Sequence, residues 1–92
     1  MSNKKVLIVG AGFAGSTFAR IAAENDFSVE VIDNRDHAGG NSYSYRDSET
    51  GIEIHKYGPH IFHTSNEKVY EFISRFTKLN GYIHREYHSI YL

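Results

Sequence analysis

Three glycines and one carboxylate are the first residues whose types and spacing suggest chemistry. Gly10, Gly12 and Gly15 stand in the order Gly-x-Gly-x-x-Gly, and Asp33 follows 18 residues after the last of them. In that pattern Gly10 permits a tight turn out of a strand, and Gly12 leaves no side chain between the backbone and a pyrophosphate. Gly15 lets a helix lie close against a sheet. The helix that follows offers unpaired N–H groups and the positive end of its dipole to an anion. Asp33 has the chemistry to accept both hydroxyls of a ribose, and its charge repels a 2′-phosphate, which counts against NADP. Glycines also cluster in ordinary turns, so the signal depends on a strand before them and a helix after.

Both are legible. Val6-Leu7-Ile8-Val9 is a short apolar run, suited to a strand buried on both faces of a parallel sheet. Ala14, Phe18, Ile21 and Ala22 then recur at i, i+4, i+7 and i+8, the spacing of one helix face, until Asn25-Asp26 stops the pattern. Ser28 to Asp33 is rich in β-branched residues, which predicts a second strand with Asp33 at its end. Strand, helix and strand within about 30 residues is the span of a βαβ unit.

Beyond Asp33 the texture changes. Gly39-Gly40-Asn41 reads as a loop. Tyr43 and Tyr45, then Ile52 and Ile54, alternate with polar residues around Asp47–Gly51, which predicts an antiparallel hairpin with a five-residue loop. Thr64 and Glu67 have the spacing of a capping box ahead of a helix whose apolar face is Val69, Phe72, Ile73 and Phe76 and which Asn80-Gly81 would end. The predicted fold class is α/β: a Rossmann-type βαβ unit, a hairpin and a helix, in one dinucleotide-binding domain over residues 1–92. Residues 81–92 are aromatic-rich and strand-like with no closing turn, so the chain is expected to be an incomplete piece of a larger fold.

Composition excludes several classes. The net charge of −1, from ten Lys/Arg and eleven Asp/Glu, lacks the basic excess of a nucleic-acid surface. There is no cysteine, hence no disulfide framework and no Cys-bearing zinc site. The apolar run near the start is too short for a signal peptide or for a membrane span of about 20 residues, so a cytoplasmic protein is expected. Six histidines invite a metal reading. Yet Gly58 and Pro59 deny His55 and His60 a shared helix, and His84 and His88 fall on one face of an expected strand, far apart. No metal site is expected.

NAD and FAD proteins share all of the features above. Asp33 is followed, five residues on, by Gly39-Gly40, and this acid-x5-Gly-Gly pattern resembles the second signature of amine-oxidase-like FAD enzymes. Arg35-Asp36-His37-Ala38-Gly39-Gly40-Asn41 and Ile54-His55-Lys56-Tyr57-Gly58-Pro59-His60-Ile61-Phe62-His63-Thr64 resemble the UDP-galactopyranose mutase family, and the likeness covers nearly the whole chain. That family interconverts UDP-galactopyranose and UDP-galactofuranose, a precursor of galactofuranose-containing glycans. The resemblance implies an FAD cofactor in its reduced form and no net redox change. N5 of the flavin attacks the anomeric carbon and displaces UDP, and the sugar ring then opens and recloses on another hydroxyl.

Carried over residue by residue, the resemblance implies FAD contacts at Ala14 and Gly15, at Asp33 and Asn34, at Asn41, and at His60 and Ile61, with the histidine-rich loop near the isoalloxazine. His84 resembles a position that meets the UDP-sugar. The first signature's acid is Asp33 here and often Glu in relatives, and either holds a ribose. Family members run to several hundred residues. The groups that clamp the substrate diphosphate have no counterpart in this sequence, so the 92 residues alone are expected to be inactive and to self-associate through uncovered apolar faces. Two other readings stand beside this one: an amine-oxidase-like flavoprotein that oxidises its substrate with oxygen, and a nucleotide-binding module without catalysis.

Overall fold

The computed structural model describes residues 4–81; His84, His88 and the strand expected beyond Gly81 lie outside them. The chain forms two compact units, residues 1–60 and 61–92.

The first unit opens with the βαβ motif. β1 (Lys5–Val9) and β2 (Ser28–Ile32) pair in parallel, with Val6 opposite Val29 and Val9 opposite Ile32, and α1 (Phe13–Glu24) packs on both. α1 stops where the sequence predicts. Asn25 caps it, Asp26 takes a left-handed φ of 64°, and Phe27 N–H and Asp26 N–H donate back to the carbonyls of Ala22 and Ala23. This pair of reversed bonds is the Schellman arrangement, here with aspartate where glycine is commoner. The Asn25 amide also donates to the Ile21 carbonyl at 2.7 Å, which occupies a further helix-end carbonyl.

The face that meets the sheet differs from the predicted stripe. Gly15, Ala19 and Ala22 are half-buried, as is Thr17, whereas Ala14 is exposed and Phe18 and Ile21 remain 59% and 47% exposed. Small side chains let the helix axis approach the strands, so Phe18 and Ile21 fall at the rim. There they border an open apolar groove with Val6, Ala22, Asn25 and Phe27. The strands are likewise covered on one face. Val6, Ile8 and Val29 are half-buried, but Leu7 and Val9, which alternation sends to the opposite face, are 60% and 78% exposed. Burial of β1 on both faces is therefore not observed, and among the described residues none is fully buried.

After β2 the chain bends through residues 34–39 into a single 3-10 turn, Gly40–Ser42, where a plain loop is expected from composition. The turn closes because the Tyr43 and Ser42 N–H groups donate to the carbonyls of Gly40 and Gly39, and the Ser42 hydroxyl donates to the latter as well. β3 (Ser44–Arg46) and β4 (Glu53–His55) form the predicted antiparallel hairpin, with Tyr45 opposite Ile54. The Asp47 carboxylate accepts from both the N–H and the hydroxyl of Thr50, which holds its pKa below the ordinary carboxylate value. The Asp47 N–H donates to the Ile52 carbonyl, so the ladder continues one step past the strands.

In the second unit α2 spans Glu67–Ser74. Its cap is Asn66, whose Oδ1 accepts from the Lys68 and Val69 N–H groups at 2.9 and 3.2 Å. Thr64 instead accepts from the Asn66 N–H and orients that cap, so the expected Thr64–Glu67 capping box does not form. α2 also ends earlier than Asn80-Gly81. The Ser74 hydroxyl bonds back to the Tyr70 carbonyl, and Arg75 and Phe76 make i→i+3 bonds that tighten and finish the last turn. Of the predicted apolar face, Phe72 and Ile73 are half-buried, and Val69 and Phe76 are exposed.

The tightest contact in the first unit is at Gly15. A Cβ built there would overlap the Gly10 carbonyl oxygen and come within 3.2 Å of the Ile8 Cγ2. Backbone cannot yield as a side-chain tip can. Gly15→Ala is therefore expected to destabilise by about 1–3 kcal/mol, a drop in melting temperature of roughly 4–8 °C per kcal/mol for a domain of this size. A Cβ at Gly12 meets only the Gly40 Cα, at an ordinary 3.9 Å, so Gly12→Ala is the control. Thermal melts followed by circular dichroism should separate the two; equal melting temperatures would contradict the packing described.

Candidate functional site

The turn from β1 into α1 is where the sequence-predicted residues first meet. Gly10, at φ 106°, donates its N–H to the Ile32 carbonyl at 2.7 Å and so extends the parallel ladder while turning the chain away. Gly12 is the N-cap of α1 and supplies no capping side chain, and the first intrahelical bond runs from Ser16 N–H to the Gly12 carbonyl. The N–H groups of the first turn, at Phe13, Ala14 and Gly15, thus point out of the helix end. This is a donor array suited to an anion, with the helix dipole behind it. Ala14 is exposed at this opening.

The second glycine pair returns to the same turn. The Gly39 N–H donates to the Ala11 carbonyl at 2.8 Å. A Cβ at Gly40 would lie 3.0 Å from the Gly12 Cα, so the two backbones approach because Gly40 lacks a side chain. Gly10–Gly15 and Gly39–Gly40 are far apart in sequence and form one backbone surface.

Asp33 ties this surface to the end of β2. Its Oδ2 accepts from the Ala11 N–H at 2.8 Å and its Oδ1 from the Arg35 N–H at 2.8 Å. Each carboxylate oxygen retains further acceptor capacity, so the side chain anchors the loop and still has lone pairs for hydroxyl donors. The Ala11 hydrogen bond, then that of Arg35, lowers the Asp33 pKa; partial burial opposes them, and the charges of Arg35 and His37 add to the lowering. Asn34 is exposed in the bend beyond Asp33, and Asn41 accepts from Arg35 Nη2 at 3.0 Å.

His60 is placed by a contact that the sequence conceals. Its Nδ1 lies 3.1 Å from His55 Nδ1, and its backbone N–H donates to that same His55 nitrogen at 3.3 Å. His55 Nδ1 is therefore the acceptor, the proton between the rings belongs to His60 Nδ1, and in the neutral ring His60 Nε2 carries a lone pair. The separation of His55 and His60 by Gly58-Pro59 argues against a shared helix, but the β4 end and the following turn still bring the rings together. No group of three or more His, Cys, Asp or Glu able to hold a metal is found among the described residues. Ile61 belongs to the second unit, and His84 lies outside the described residues.

Sequence reasoning missed a cluster around Tyr57. The Arg35 guanidinium lies 4.2 Å from the centroid of the Tyr57 ring, and His37 stacks on Tyr43 and reaches the Tyr57 hydroxyl. A cation and a histidine two and four residues after a ribose-type acid were the available signal.

A pH dependence follows from Asp33. Its folded-state pKa is depressed, so its contribution is complete above the unfolded value of about 3.9 and is lost as pH falls through the lower folded value. The Ala11 and Arg35 amides should be protected from hydrogen exchange at neutral pH and lose that protection only below pH about 4. Exchange measured by NMR across that range tests the point; protection that fades near pH 6 would implicate another group.

Comparison with known proteins accords with this geometry. Residues 8–76 match the profile of the NAD(P)-binding Rossmann-like domain. The chain is 49% identical over 85 residues to a probable UDP-galactopyranose mutase of Klebsiella pneumoniae, covering 92% of this chain and 22% of that protein. It is 52% identical over 81 residues to a dTDP-fucopyranose mutase of Escherichia coli, 88% of this chain and 22% of the relative. A UDP-galactopyranose mutase of Mycoplasma genitalium is 51% identical over 80 residues, 87% of this chain and 20% of the relative. The chain thus spans about a fifth of the length of these relatives. The match covers most of the βαβ unit and the segments after it, and the chain belongs to the NAD(P)-binding Rossmann-like domain family.

Proposed function

We propose that this chain binds the ADP half of FAD and is the cofactor-binding part of a mutase that interconverts UDP-galactopyranose and UDP-galactofuranose. The observation that carries the reading is the meeting of the two glycine signatures, Gly10–Gly15 and Gly39–Gly40, beside the Asp33 carboxylate. The residues fit a dinucleotide, because the first-turn N–H groups of α1 precede the first intrahelical bond and the N-cap Gly12 supplies no side chain to occupy them. The identity of about 50% to mutases over most of the chain supports the flavin-enzyme reading over an amine-oxidase-like oxidase and over a module without catalysis.

In this reading the Phe13, Ala14 and Gly15 N–H groups receive the pyrophosphate, with Gly10 and Gly12 leaving the backbone open to it. Asp33, with Asn34 beside it, receives the ribose hydroxyls, and Asn41, His60 and Ile61 contact the rest of the cofactor. Reduced FAD, when bound, supplies the nucleophile that displaces UDP from the sugar, and the protein's part is to hold and orient it. His60, protonated at Nδ1 toward His55, presents Nε2 as an acceptor. His84 is assigned to the sugar nucleotide. No helix among the described residues is long and apolar enough to cross a membrane. A cytoplasmic place in galactofuranose synthesis, with self-association through the exposed apolar faces and no nucleic-acid partner, completes the proposal.

A second reading, a dTDP-fucopyranose mutase, is favoured by the 52% identity to that enzyme, which matches the likeness to the galactose enzymes. Two experiments test these readings. Gly12→Val is expected to abolish flavin retention through gel filtration, read by absorbance, while the circular dichroism of the chain is kept; equal flavin in variant and parent sinks the cradle. Grafted in place of the corresponding segment of the Klebsiella relative, the chain should sustain conversion of UDP-galactofuranose to UDP-galactopyranose after dithionite reduction. Turnover only in the matching graft into the dTDP-fucopyranose enzyme would favour the second reading.

A further inference from the structure

The cluster that sequence reasoning missed links two loops. His37 stacks on Tyr43 with ring centroids 3.7 Å apart and planes 12° from parallel. His37 Nδ1 lies 2.9 Å from the Ala38 carbonyl, and Nε2 lies 2.7 Å from the Tyr57 hydroxyl. A carbonyl only accepts, so Nδ1 carries the proton. In the neutral ring Nε2 is then a lone pair, and the Tyr57 O–H donates to it. The Tyr57 ring also lies 4.2 Å from the Arg35 guanidinium, which donates to Asn41.

These contacts make a continuous chain. Ala38, which accepts from His37, directly precedes Gly39, whose N–H donates to the Ala11 carbonyl of the glycine turn. On the far side Tyr57 directly precedes Gly58-Pro59-His60, and the Lys56 N–H donates to the Tyr43 carbonyl. The participants are at most half-buried, and such surface contacts add little to global stability. What they do is fix one loop with respect to another.

We infer that His37 and Tyr57 are a latch: positioning residues that set the 57–60 loop, and with it the His55–His60 pair, against the backbone surface made by Gly39–Gly40 and Gly12. The ligand arm of the test rests on the FAD reading given above; the ligand-free arm does not. Tyr57→Phe removes one hydroxyl and keeps the ring. His37→Leu removes the acceptor, and His37→Gln restores one, because its amide oxygen reaches where Nε2 stood.

In the ligand-free chain, long-range 1H–15N correlation of the imidazoles should show His60 protonated at Nδ1 in the parent and in His37→Gln. In Tyr57→Phe and His37→Leu the His60 ring should average between tautomers; a His60 pattern unchanged in both overturns the latch. Titrations then use ADP, which reaches only the glycine turn and Asp33, and FAD, which reaches further. Tyr57→Phe and His37→Leu are expected to weaken FAD roughly threefold to tenfold, the worth of one hydrogen bond, with ADP unchanged and His37→Gln near the parent. Equal weakening of ADP and FAD, or no rescue by glutamine, overturns the positioning role and leaves ordinary support of the fold. If the parent binds neither nucleotide while Tyr57→Phe still frees His60, the latch stands and the FAD reading falls.

Discussion

Backbone meets backbone at the start of α1, and the first unit is organised around that contact. The absence of a side chain at Gly15 seats the helix on the Gly10 carbonyl and Ile8, and the absence of one at Gly40 brings the second glycine pair against the first. A methyl group at Gly15 would lift the helix end from the strand and tilt its N–H groups away from the turn. The Ala11–Gly39 and Ala11–Asp33 hydrogen bonds hold the segment after β2 against the same turn. Ala11 therefore works as a hub through its main chain alone: its carbonyl and its N–H hold the two ends, Gly39 and Asp33, of the segment after β2.

The same economy of side chains explains why the unit has so little interior. Gly15, Ala19 and Ala22 allow a close helix–strand approach but present little apolar area, while the larger Phe18, Ile21, Leu7 and Val9 remain at rims and on the opposite sheet face. Hydrophobic stabilisation scales with area removed from water, so a helix seated on glycine and alanine contributes less than one seated on leucine. Local hydrogen bonds carry a correspondingly larger share of the order: the reversed bonds at Asn25–Phe27 and the Asp47–Thr50 turn. Such bonds specify where elements end more than they add to net stability.

Polar groups near the turn are arranged to remain useful after they have done structural work. Asp33 accepts two backbone N–H groups through different oxygens and keeps acceptor capacity on each. His60 gives its Nδ1 proton to His55 and keeps Nε2 for another partner. Arg35 gives its backbone N–H to Asp33 and keeps its guanidinium for Tyr57 and Asn41.

By itself the sequence determined the βαβ unit, the glycine turn, the hairpin and the acid at the end of β2. Each rests on local chemistry: β-branched runs, a glycine spacing, turn-forming residues at Asp47–Gly51 and a helix stop at Asn25-Asp26. Helix ends were less legible where two local partners compete. Thr64 and Asn66 both offer a capping oxygen, and only the folded chain shows Asn66 at the cap with Thr64 behind it. Tertiary structure alone decided which helix face meets the sheet, because apolar periodicity favours Phe18 and Ile21 while close packing favours glycine and alanine. It also decided the contacts between His55 and His60, between His37 and Tyr57, and between Gly12 and Gly40. These depend on turns that reverse the chain between the partners, and no spacing rule along a single helix or strand encodes where such turns set their ends.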